Sequence, residues 1–370
     1  MSELYIGLMS GTSIDAVDSV LVGFSEQKPK LIATHTHPIP NELRENLHDL
    51  CVVKNKNIYQ LSTSDTMLGN LFAEAVLTLL NKTKTTPAEI KAIGSHGQTI
   101  LHQPNIKNPF SLQIGDPNII AARTGIITIA DFRRKDIANK GQGAPLTPAF
   151  HKAIFQSNNQ DRIILNIGGI ANITILKANQ KLPIIGFDTG PGNTLIDAWI
   201  FHNLKRPHDD KGEWASSGKI NPTLLKHLLN DPYFDLPPPK STGREYFNIN
   251  WLKQNIEELS LTLAPKDIQA TLTEFTAQTI TEAINKYIQN NCDLIICGGG
   301  VHNDYLIKRL TILNKNHNVS FTDKVGVPAD WVEAIAFAWL AKQTLNHQPI
   351  ELQSITGSKK SAVLGGIYYP

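Results

Sequence analysis

The chain has 370 residues, of which 41% are hydrophobic and 18% charged, as is ordinary for a globular protein. Its formal net charge of +2 comes without a dense basic run, which excludes the usual electrostatic signature of a nucleic-acid-binding protein. The N-terminus lacks the basic and apolar regions of a signal peptide, and the longest apolar stretch, Ala334 to Ala341, is too short to cross a bilayer. We therefore expect a cytoplasmic protein with no nucleic-acid or membrane partner.

Periodicity and turn signals place strands and helices in alternation along the chain, which indicates an α/β fold. In chain order, we predict strands at Leu4–Met9, Val17–Phe24, Ile90–Gly94, Ser111–Gly115, Ile126–Ala130, Arg162–Ile167, Asn172–Leu176, Pro183–Ile185 and Asp293–Cys297. We predict helices between Asp116 and Gly125, from the capping-box residue Thr271 to about Asn290, and from Asp330 to Leu345. The first two strands and the pair around Gly168 have similar glycine placement, which makes them a candidate internal duplication.

The length of the chain exceeds the range of one hydrophobic core, so we expect two lobes. We place the N-terminal lobe at residues 1–130, to which about 350–370 could be added, and the C-terminal lobe at 131–349. Prolines and glycines mark residues 205–250 as an irregular insertion, of the kind that often forms part of a substrate pocket or a lid.

A polar turn between the first two strands carries the first candidate site. Glycine lets backbone amides approach an anion, hydroxyl groups add donors, and an aspartate can hold hydrated Mg²⁺ beside phosphates. The turn is therefore a candidate phosphate-binding site with Asp15 as a candidate Mg²⁺ ligand, and its residues are Gly11, Thr12, Ser13, Ile14, Asp15, Ala16, Val17 and Asp18. A hairpin turn that uses these residues for its geometry alone explains the pattern as well.

Two later glycine-rich turns suit the same kind of ligand. The first suits a second phosphate clamp, although a tight hairpin explains it nearly as well: Gly168, Gly169 and Asn172. The second lies between a strand and a helix, where bare backbone can accept an adenine ring or a ribose: Gly298, Gly299 and Gly300. Asn303 stands where a dinucleotide fold needs its third glycine, and the sequence contains no P-loop or protein-kinase motif.

A carboxylate among glycines marks the candidate catalytic position. Asp188 follows the predicted strand Pro183–Ile185, and Gly190 and Gly192 leave room for a ligand beside it. Such an aspartate can take a proton from water or from a hydroxyl group during attack on a substrate. The competing interpretation makes Asp188 a turn residue or the cap of a following helix, but capping needs neither the glycines nor the polar neighbours.

Further polar clusters supply candidate substrate contacts. An arginine such as Arg133 can bind a carboxylate through its planar guanidinium group. For His96 a structural role is the commoner one, and Glu333 can simply stabilise the first turn of its helix. The candidate substrate-binding residues are His96, Gln98, Asp116, Asp131, Arg133 and Glu333.

Ten short motifs run in order over nearly the whole chain: Gly7–Ser13, Ser95–Gln98, Gln113–Pro117, Ala130–Arg133, Gly141–Pro145, Asn166–Asn172, Gly186–Asn193, Pro237–Glu245, Cys297–Gly300 and Asp330–Ala334. In these motifs the sequence resembles the anhydro-N-acetylmuramic acid kinase family of the actin, hexokinase and Hsp70 superfamily. The resemblance implies a two-lobed, ribonuclease H-like α/β fold with an interdomain cleft. One departure is Ala16, which occupies a position where the family usually has glycine; a positive φ there would weaken nucleotide binding.

The resemblance also implies a reaction, in which water opens the ring of 1,6-anhydro-N-acetylmuramic acid and ATP phosphorylates O6. The products are N-acetylmuramate 6-phosphate and ADP, in peptidoglycan recycling. Asp188 would deprotonate the attacking water, the Gly11–Asp18 stretch would bind ATP, and Mg²⁺ would offset phosphate charge. A homodimer is left open.

Two alternatives remain open from the sequence. A conventional kinase of the same fold would use Asp188 to deprotonate the hydroxyl group of an ordinary sugar or another acceptor. A non-catalytic ATP-binding protein of the actin or Hsp70 type would bind ATP without releasing ADP in response to a sugar. The polar segment Pro237–Glu245 weighs against this second alternative.

Overall fold

A computed structural model describes residues 2–11, 14–25, 29–51 and 57–370. Within them the strands are β1 (Glu3–Met9), β2 (Ala16–Phe24), β3 (Pro29–Pro38), β4 (Ile90–Ser95), β5 (Gln98–Gln103), β6 (Phe110–Ile114), β7 (Thr128–Ala130), β8 (Arg162–Ile167), β9 (Ile170–Leu176), β10 (Ile185–Pro191), β11 (Asp293–Cys297), β12 (Asn318–Phe321) and β13 (Gly366–Tyr368). The helices are α1 (Asn41–Cys51), α2 (Ile58–Thr83), α3 (Pro117–Thr124), α4 (Phe132–Ala138), α5 (Thr147–Phe155), α6 (Thr194–Leu204), α7 (Glu213–Ser216), α8 (Pro222–Leu229), α9 (Ile249–Glu258), α10 (Pro265–Tyr287), α11 (Asp304–Leu313), α12 (Val332–Leu345) and α13 (Gln353–Thr356). No helix in these residues is both long and apolar enough to pass through a membrane.

The chain divides into two compact units. The first contains Met1–Ile154 and Trp331–Pro370, and the second contains Phe155–Asp330. These limits differ from the boundaries predicted at residues 130 and 349. Residues 131–154 belong to the first unit, where α4 packs against β6, and α12 belongs there because it packs against β1, β2 and β4.

The first unit contains a six-stranded sheet in the order β13-β7-β4-β1-β2-β3. β1, β2 and β3 form an antiparallel meander, while β4 and β7 run parallel to β1. Ile6 and Leu8 of β1 point into an apolar core with α1 and α2. Gly7 points to the other face, where α12 lies so close that a Cβ atom on Gly7 would fall 1.9 Å from the carbonyl oxygen of Ala334.

The second unit contains a five-stranded sheet in the order β10-β9-β8-β11-β12. β8, β9 and β10 form an antiparallel meander, and β11 and β12 run parallel to β8. α10 and α11 cover one face of this sheet through an apolar core. Both units thus repeat one strand order, a meander followed by two parallel strands, in agreement with the predicted duplication. The chain thus has a duplicated α/β fold with a ribonuclease H-like strand order in each unit.

Residues 205–250 contain more regular structure than the sequence predicted. They include α7, α8 and the start of α9, and they pack with α6 and α10 through a separate apolar cluster. Leu224, Leu225 and Leu228 of α8 are buried because their spacing places them on one helix face. Pro222 and Pro232 each begin a short helix, and the region carries its own core.

Two predicted helix starts had opposite outcomes. α3 is confirmed, since Asp116 accepts a hydrogen bond from the amide of Asn118 (2.8 Å), and Gly125 ends the helix at φ 69°. The predicted start at Thr271 was wrong, because α10 begins with Pro265 at its first turn. The Thr271 hydroxyl donates to the carbonyl of Asp267 one turn earlier, so it lies inside the helix.

Candidate active site

Asp188 lies within a strand rather than after one. The predicted strand end at Ile185 was wrong, because β10 runs on to Pro191 with its pairing to β9 interrupted by a bulge between Asp188 and Gly190. Gly190 adopts φ 141°, and a Cβ atom there would lie 2.9 Å from Cε1 of Phe234, so glycine is required. Bulges of this kind re-aim side chains beside active sites.

The helix that follows β10 excludes the capping interpretation of Asp188. α6 begins at Thr194, and its cap residue is Asn193, five residues beyond Asp188. The Asp188 carboxylate instead accepts a hydrogen bond from the amide of Thr242, at 3.0 Å from Oδ2. The carboxylate therefore binds a segment that is distant in sequence and does not cap α6.

One segment, residues 233–242, holds both the backbone and the side chain of Asp188. The amide of Asp188 donates to the carbonyl of Lys240 (3.2 Å), and its own carbonyl accepts from the hydroxyl of Tyr233 (2.7 Å). Together with the amide of Thr242, these contacts fix Asp188 at three points. Such restraint is what a general base needs if its position is to stay constant during proton transfer.

Sequence reasoning missed these holding residues. The sequence places them in an irregular insertion of the kind that often forms part of a substrate pocket or a lid, and it does not predict their contact with Asp188. Burial, and next the charge of Asp188, raise the pKa of Tyr233 well above its usual range. The phenol therefore stays protonated and remains a hydrogen-bond donor to the Asp188 carbonyl.

Asn172 lies directly beside Asp188 on the neighbouring strand. The register pairs Asp188 with Asn172 and Asn172 with Asn166, and directly opposed residues share one face of a sheet. Within the part of the chain that the structure describes, Oδ1 of Asn172 is buried and has no hydrogen-bond partner. A buried polar atom without a partner costs about 1–3 kcal/mol, so this position suits a ligand. Its predicted role in nucleotide binding stays a prediction.

The two glycine turns of the second unit lie at one edge of its sheet. Gly168 follows β8 and Gly298 follows β11, and these adjacent parallel strands end in register, with Asn166 opposite Cys297. Ligands bind most often outside the carboxyl ends of parallel strands. A Cβ atom on Gly299 would meet nothing within 4 Å in residues 2–11, 14–25, 29–51 and 57–370, so the backbone of this turn is open to an approaching group.

Hydrogen bonds also join the Gly168–Gly169 turn to the region just beyond Asp188. The carbonyl of Gly168 accepts from the amide of Asn193 (2.8 Å), and that of Gly169 accepts from the hydroxyl of Thr194 (2.7 Å). The second unit thus brings this turn, Asn172 and Asp188 into one connected region. Nucleotide binding by Gly168, Gly169, Gly298, Gly299 and Gly300 stays a prediction.

The polar turn of the first unit is described in part, since Thr12 and Ser13 lie outside the described residues. A Cβ atom added to Gly11 would meet nothing within 4 Å among the described residues, so on that side this position is open to an approaching group. Asp15 is 62% exposed, and its Oδ1 lies 3.3 Å from Nη1 of Arg44. The Asp18 carboxylate accepts a hydrogen bond from the hydroxyl of Thr36 at 3.0 Å.

The Ala16 departure has no backbone consequence. Ala16 begins β2 opposite Pro38, and the left-handed residue of the turn is Ile14, at φ 57°. A positive φ at Ala16 would have required glycine, and the structure does not place it there. The neighbouring Val17 is fully buried, so its side chain serves the core.

A magnesium ion fits this turn through one carboxylate. Among the residues described, no cluster of three or more His, Cys, Asp or Glu side chains could hold a metal ion. Mg²⁺ keeps several waters and commonly binds proteins through one or two carboxylates together with substrate phosphates. The exposed carboxylate of Asp15 satisfies that requirement.

His96 and Gln98 are turned inward and bonded to the protein. His96 is 6% exposed, and burial, then the charge of Arg133, lowers its pKa to about 3. The neutral ring accepts from Nη2 of Arg133 at Nε2 (2.9 Å) and therefore donates from Nδ1 to the carbonyl of Gly97 (2.8 Å). Gln98 is 2% exposed and accepts from the hydroxyl of Ser10 (2.6 Å).

These contacts favour an indirect role for both side chains. His96 orients the guanidinium group of Arg133, whose Nη1 also donates to the carbonyl of Gly143 (2.8 Å). Arg133 is partly exposed, so it is the member of this cluster best placed to meet a substrate. Direct substrate contact by His96, Gln98 and Arg133 stays a prediction.

Asp131 has the unusual backbone that often marks a functional position. It adopts φ 59° at the start of α4, and its carboxylate lies 3.3 Å from Arg134. Burial raises the pKa of Asp131, against the charge of Arg134. Burial also raises the pKa of Tyr368, with smaller contributions from the charges of Asp131 and Asp116, so these two carboxylates lie near one tyrosine.

Glu333 lies in the first turn of α12 and is partly exposed. A negative charge there interacts favourably with the helix dipole, which agrees with a role for Glu333 in stabilising the first turn of α12. Substrate roles for Asp116, Asp131 and Glu333 stay predictions.

Comparison with known proteins gives a consistent result. The family model described as anhydro-N-acetylmuramic acid kinase matches residues 3–370. A protein of that name from Coxiella burnetii is 54% identical over 367 residues, which are 99% of this chain and 98% of the relative. Proteins of the same name from Shewanella denitrificans (53% over 366 residues; 99% of this chain, 98% of the relative) and Saccharophagus degradans (51% over 371 residues; 100% and 99%) also match. The chain therefore belongs to the anhydro-N-acetylmuramic acid kinase family.

Proposed function

We propose that this chain is an ATP-dependent kinase that opens 1,6-anhydro-N-acetylmuramic acid with water and phosphorylates O6. The products are N-acetylmuramate 6-phosphate and ADP, and the reaction serves peptidoglycan recycling in the cytoplasm, where ATP is available. The observation that carries the proposal is the family match over residues 3–370, with relatives of that name at 51–54% identity. The restrained carboxylate of Asp188 supports it from the structure.

Asp188 acts as the general base in this reaction. Its carboxylate takes a proton from water as the water oxygen bonds to the anomeric carbon, and the bond from that carbon to O6 breaks. O6 then attacks the γ-phosphorus of ATP, and ADP leaves. The amide of Thr242 holds one carboxylate oxygen in place, which keeps the base in one orientation toward the water.

The glycine turns supply the binding of the phosphates. Backbone amides on open turns, such as those at Gly11 and Gly299, can approach phosphate oxygens without steric conflict. Asp15 would hold hydrated Mg²⁺, which offsets negative charge on the phosphates when it is bound. Arg133, oriented by His96, would bind the carboxylate of the substrate through its guanidinium group.

Family membership favours this function over the two alternatives. A conventional sugar kinase would deprotonate an acceptor hydroxyl with Asp188 and would need no water. A non-catalytic ATP-binding protein would have no use for an aspartate whose amide, carbonyl and carboxylate are all held by a distant segment.

Product formed in ¹⁸O-labelled water tests the proposal directly. We expect N-acetylmuramate 6-phosphate with one solvent oxygen at the anomeric carbon, measured by mass spectrometry before that hydroxyl exchanges. The same reaction in ordinary water is the control. A phosphorylated product without label, or ADP release that does not depend on the anhydro sugar, would overturn the proposal in favour of one of its alternatives.

Substituting Gly299 by Ala should weaken ATP binding without weakening the fold. The added methyl group meets no atom within 4 Å in the part of the chain that the structure describes, so we attribute any loss to the ligand it displaces. We expect KM for ATP to rise about tenfold, equivalent to about 1.4 kcal/mol, with the melting temperature and KM for the sugar unchanged. Gly366→Ala, whose methyl group would make ordinary contacts with Tyr368 on β13, is the matched control. An unchanged KM for ATP would place the nucleotide elsewhere.

A further inference from the structure

Lys240 is a buried lysine that the proposed reaction does not use. It is 9% exposed, and its Nζ donates to the carbonyl of Tyr233 at 3.1 Å. The ammonium group also lies 4.5 Å from the ring centroid of Tyr233 and 5.8 Å from that of Phe187. A carbonyl dipole and two aromatic faces therefore stabilise its charge.

These contacts close a ring of interactions around Asp188. The carbonyl of Lys240 accepts a hydrogen bond from the amide of Asp188. The ammonium group of Lys240 donates to the carbonyl of Tyr233, and the hydroxyl of Tyr233 donates to the carbonyl of Asp188. Removing the ammonium group would remove its contacts with Tyr233, which connect the two ends of the 233–242 segment. Asp188 would then lose the fixed geometry of its holding groups.

The ammonium group lies on the reverse face of β10 from the Asp188 carboxylate. It faces Phe187, whose side chain points to the opposite side of the strand from that of Asp188. There it lines a small, partly open pocket together with Glu282, Lys286 and Tyr287 of α10. Lys240 contributes to the position of Asp188 through the 233–242 segment, while the pocket lets its proton exchange with solvent.

We propose that the ammonium group of Lys240 is a positioning group for Asp188, acting through Tyr233 and the 233–242 segment, and that loss of its proton switches turnover off. The inference rests on the proposed role of Asp188 as general base. It assigns no contact with substrate to Lys240. A shift of about 1 Å in a catalytic group costs about 10²-fold in rate, which sets the expected scale of the effect.

The surrounding charges predict where the switch lies. Burial, and then Lys286, lower the pKa of Lys240 to about 8, while Asp188 and Asp235 act in the opposite direction. Below pH 8 Lys240 is protonated, and its ammonium group keeps its contacts with Tyr233. The group becomes neutral as the pH rises through that value. Turnover should therefore fall on the alkaline side with an apparent pKa near 8.

Lys240→Met tests the role of the charge, since methionine fills a similar space without it. We expect kcat to fall by about 10²-fold, with KM for ATP little changed and no alkaline limb near pH 8. Lys240→Arg keeps a charge that does not titrate in this range. The Lys240→Arg variant should recover part of the kcat that Lys240→Met loses, and its pH profile should also lack the alkaline limb near pH 8.

Two neighbouring variants move the switch while leaving Lys240 in place. Lys286→Met removes a positive charge that lowers the pKa of Lys240, so the alkaline limb should move up by about half a pH unit. Asp235→Asn removes a negative charge and should move the limb down by a similar amount. Asp235 lies within the 233–242 segment and Lys286 donates to the carbonyl of Phe234 there (3.0 Å), so the position of the alkaline limb is measured for each variant relative to its own kcat at pH 7. If the role of Lys240 were merely structural, the alkaline limb would stay at the same pH in both variants.

The outcomes separate this inference from the proposed function. If the parent enzyme fails to place solvent oxygen in the product, the function is wrong and the role of Lys240 falls with it. If the parent passes that test, but Lys240→Met keeps kcat or the limb stays fixed in both neighbouring variants, only the inference is overturned. Should Lys240→Met fail to fold, the two neighbouring variants decide the matter alone.

Discussion

Asp188→Asn should reduce sugar-dependent ADP release by at least about 10³-fold, toward the upper end of the 10²–10⁴-fold that a general base contributes. The amide cannot take the proton of the attacking water, and without that step the anhydro ring stays closed and O6 is never released for phosphorylation. The substitution keeps the shape of the side chain, and its amide oxygen can still accept the hydrogen bond from Thr242 that the carboxylate accepts now at 3.0 Å. The measurement is steady-state ADP release with and without 1,6-anhydro-N-acetylmuramic acid.

Asp231→Asn is the matched control for this substitution. Asp231 accepts hydrogen bonds from the amide of Tyr233 and from the hydroxyl of Tyr246, both at 2.9 Å, so its role in the same region is structural. Asparagine caps as well as aspartate does, and the variant should keep activity within a few-fold. If Asp188→Asn retained more than about a tenth of the parent rate, well above what loss of a base allows, another group would be activating the water.

The fold was predictable where local patterns decide it. The two hairpins of the sequence became β1–β2 and β8–β9, because alternating apolar residues and tight polar turns specify them locally. The unit boundaries were not predictable in the same way. α12 joins the first unit because small residues such as Gly7 let it lie against β1, a contact between segments more than 300 residues apart in the sequence.

In the candidate site too, features that depend on local sequence could be predicted, and contacts between distant segments could not. Asp188 and the glycine turns could be selected as candidates because a carboxylate flanked by glycines, and glycine-rich turns next to strands, can be recognised locally. The holding residues Tyr233, Lys240 and Thr242 were not, since they lie 45 to 54 positions from Asp188 in the sequence. The direction of the His96 ring also depends on a partner, Arg133, that lies 37 residues away.

The contact between α12 and β1 leads to the largest expected effect on stability. Gly7→Ala should destabilise the first unit by about 3 kcal/mol, at the upper end of the usual cost of overpacking. The new methyl carbon would lie 1.9 Å from the carbonyl oxygen of Ala334 and 3.1 Å from the amide nitrogen of Ala338. Both are backbone atoms of α12, so the whole helix would have to move away from the sheet. We expect a melting temperature about 6–12 °C lower, measured by calorimetry.

Gly23→Ala in β2 makes the comparison specific to the helix contact. Its methyl carbon would meet Oγ of Ser2 at 3.2 Å, and that side chain near the N-terminus can turn aside. Alanine also loses less conformational freedom on folding than glycine does, so the net change should stay within about 1 kcal/mol. Equal destabilisation by the two substitutions would mean that any methyl group weakens this sheet. A normal melting temperature for Gly7→Ala would mean that α12 can retreat from β1 at little cost, and the close approach of helix and strand would then not be what holds the first unit together.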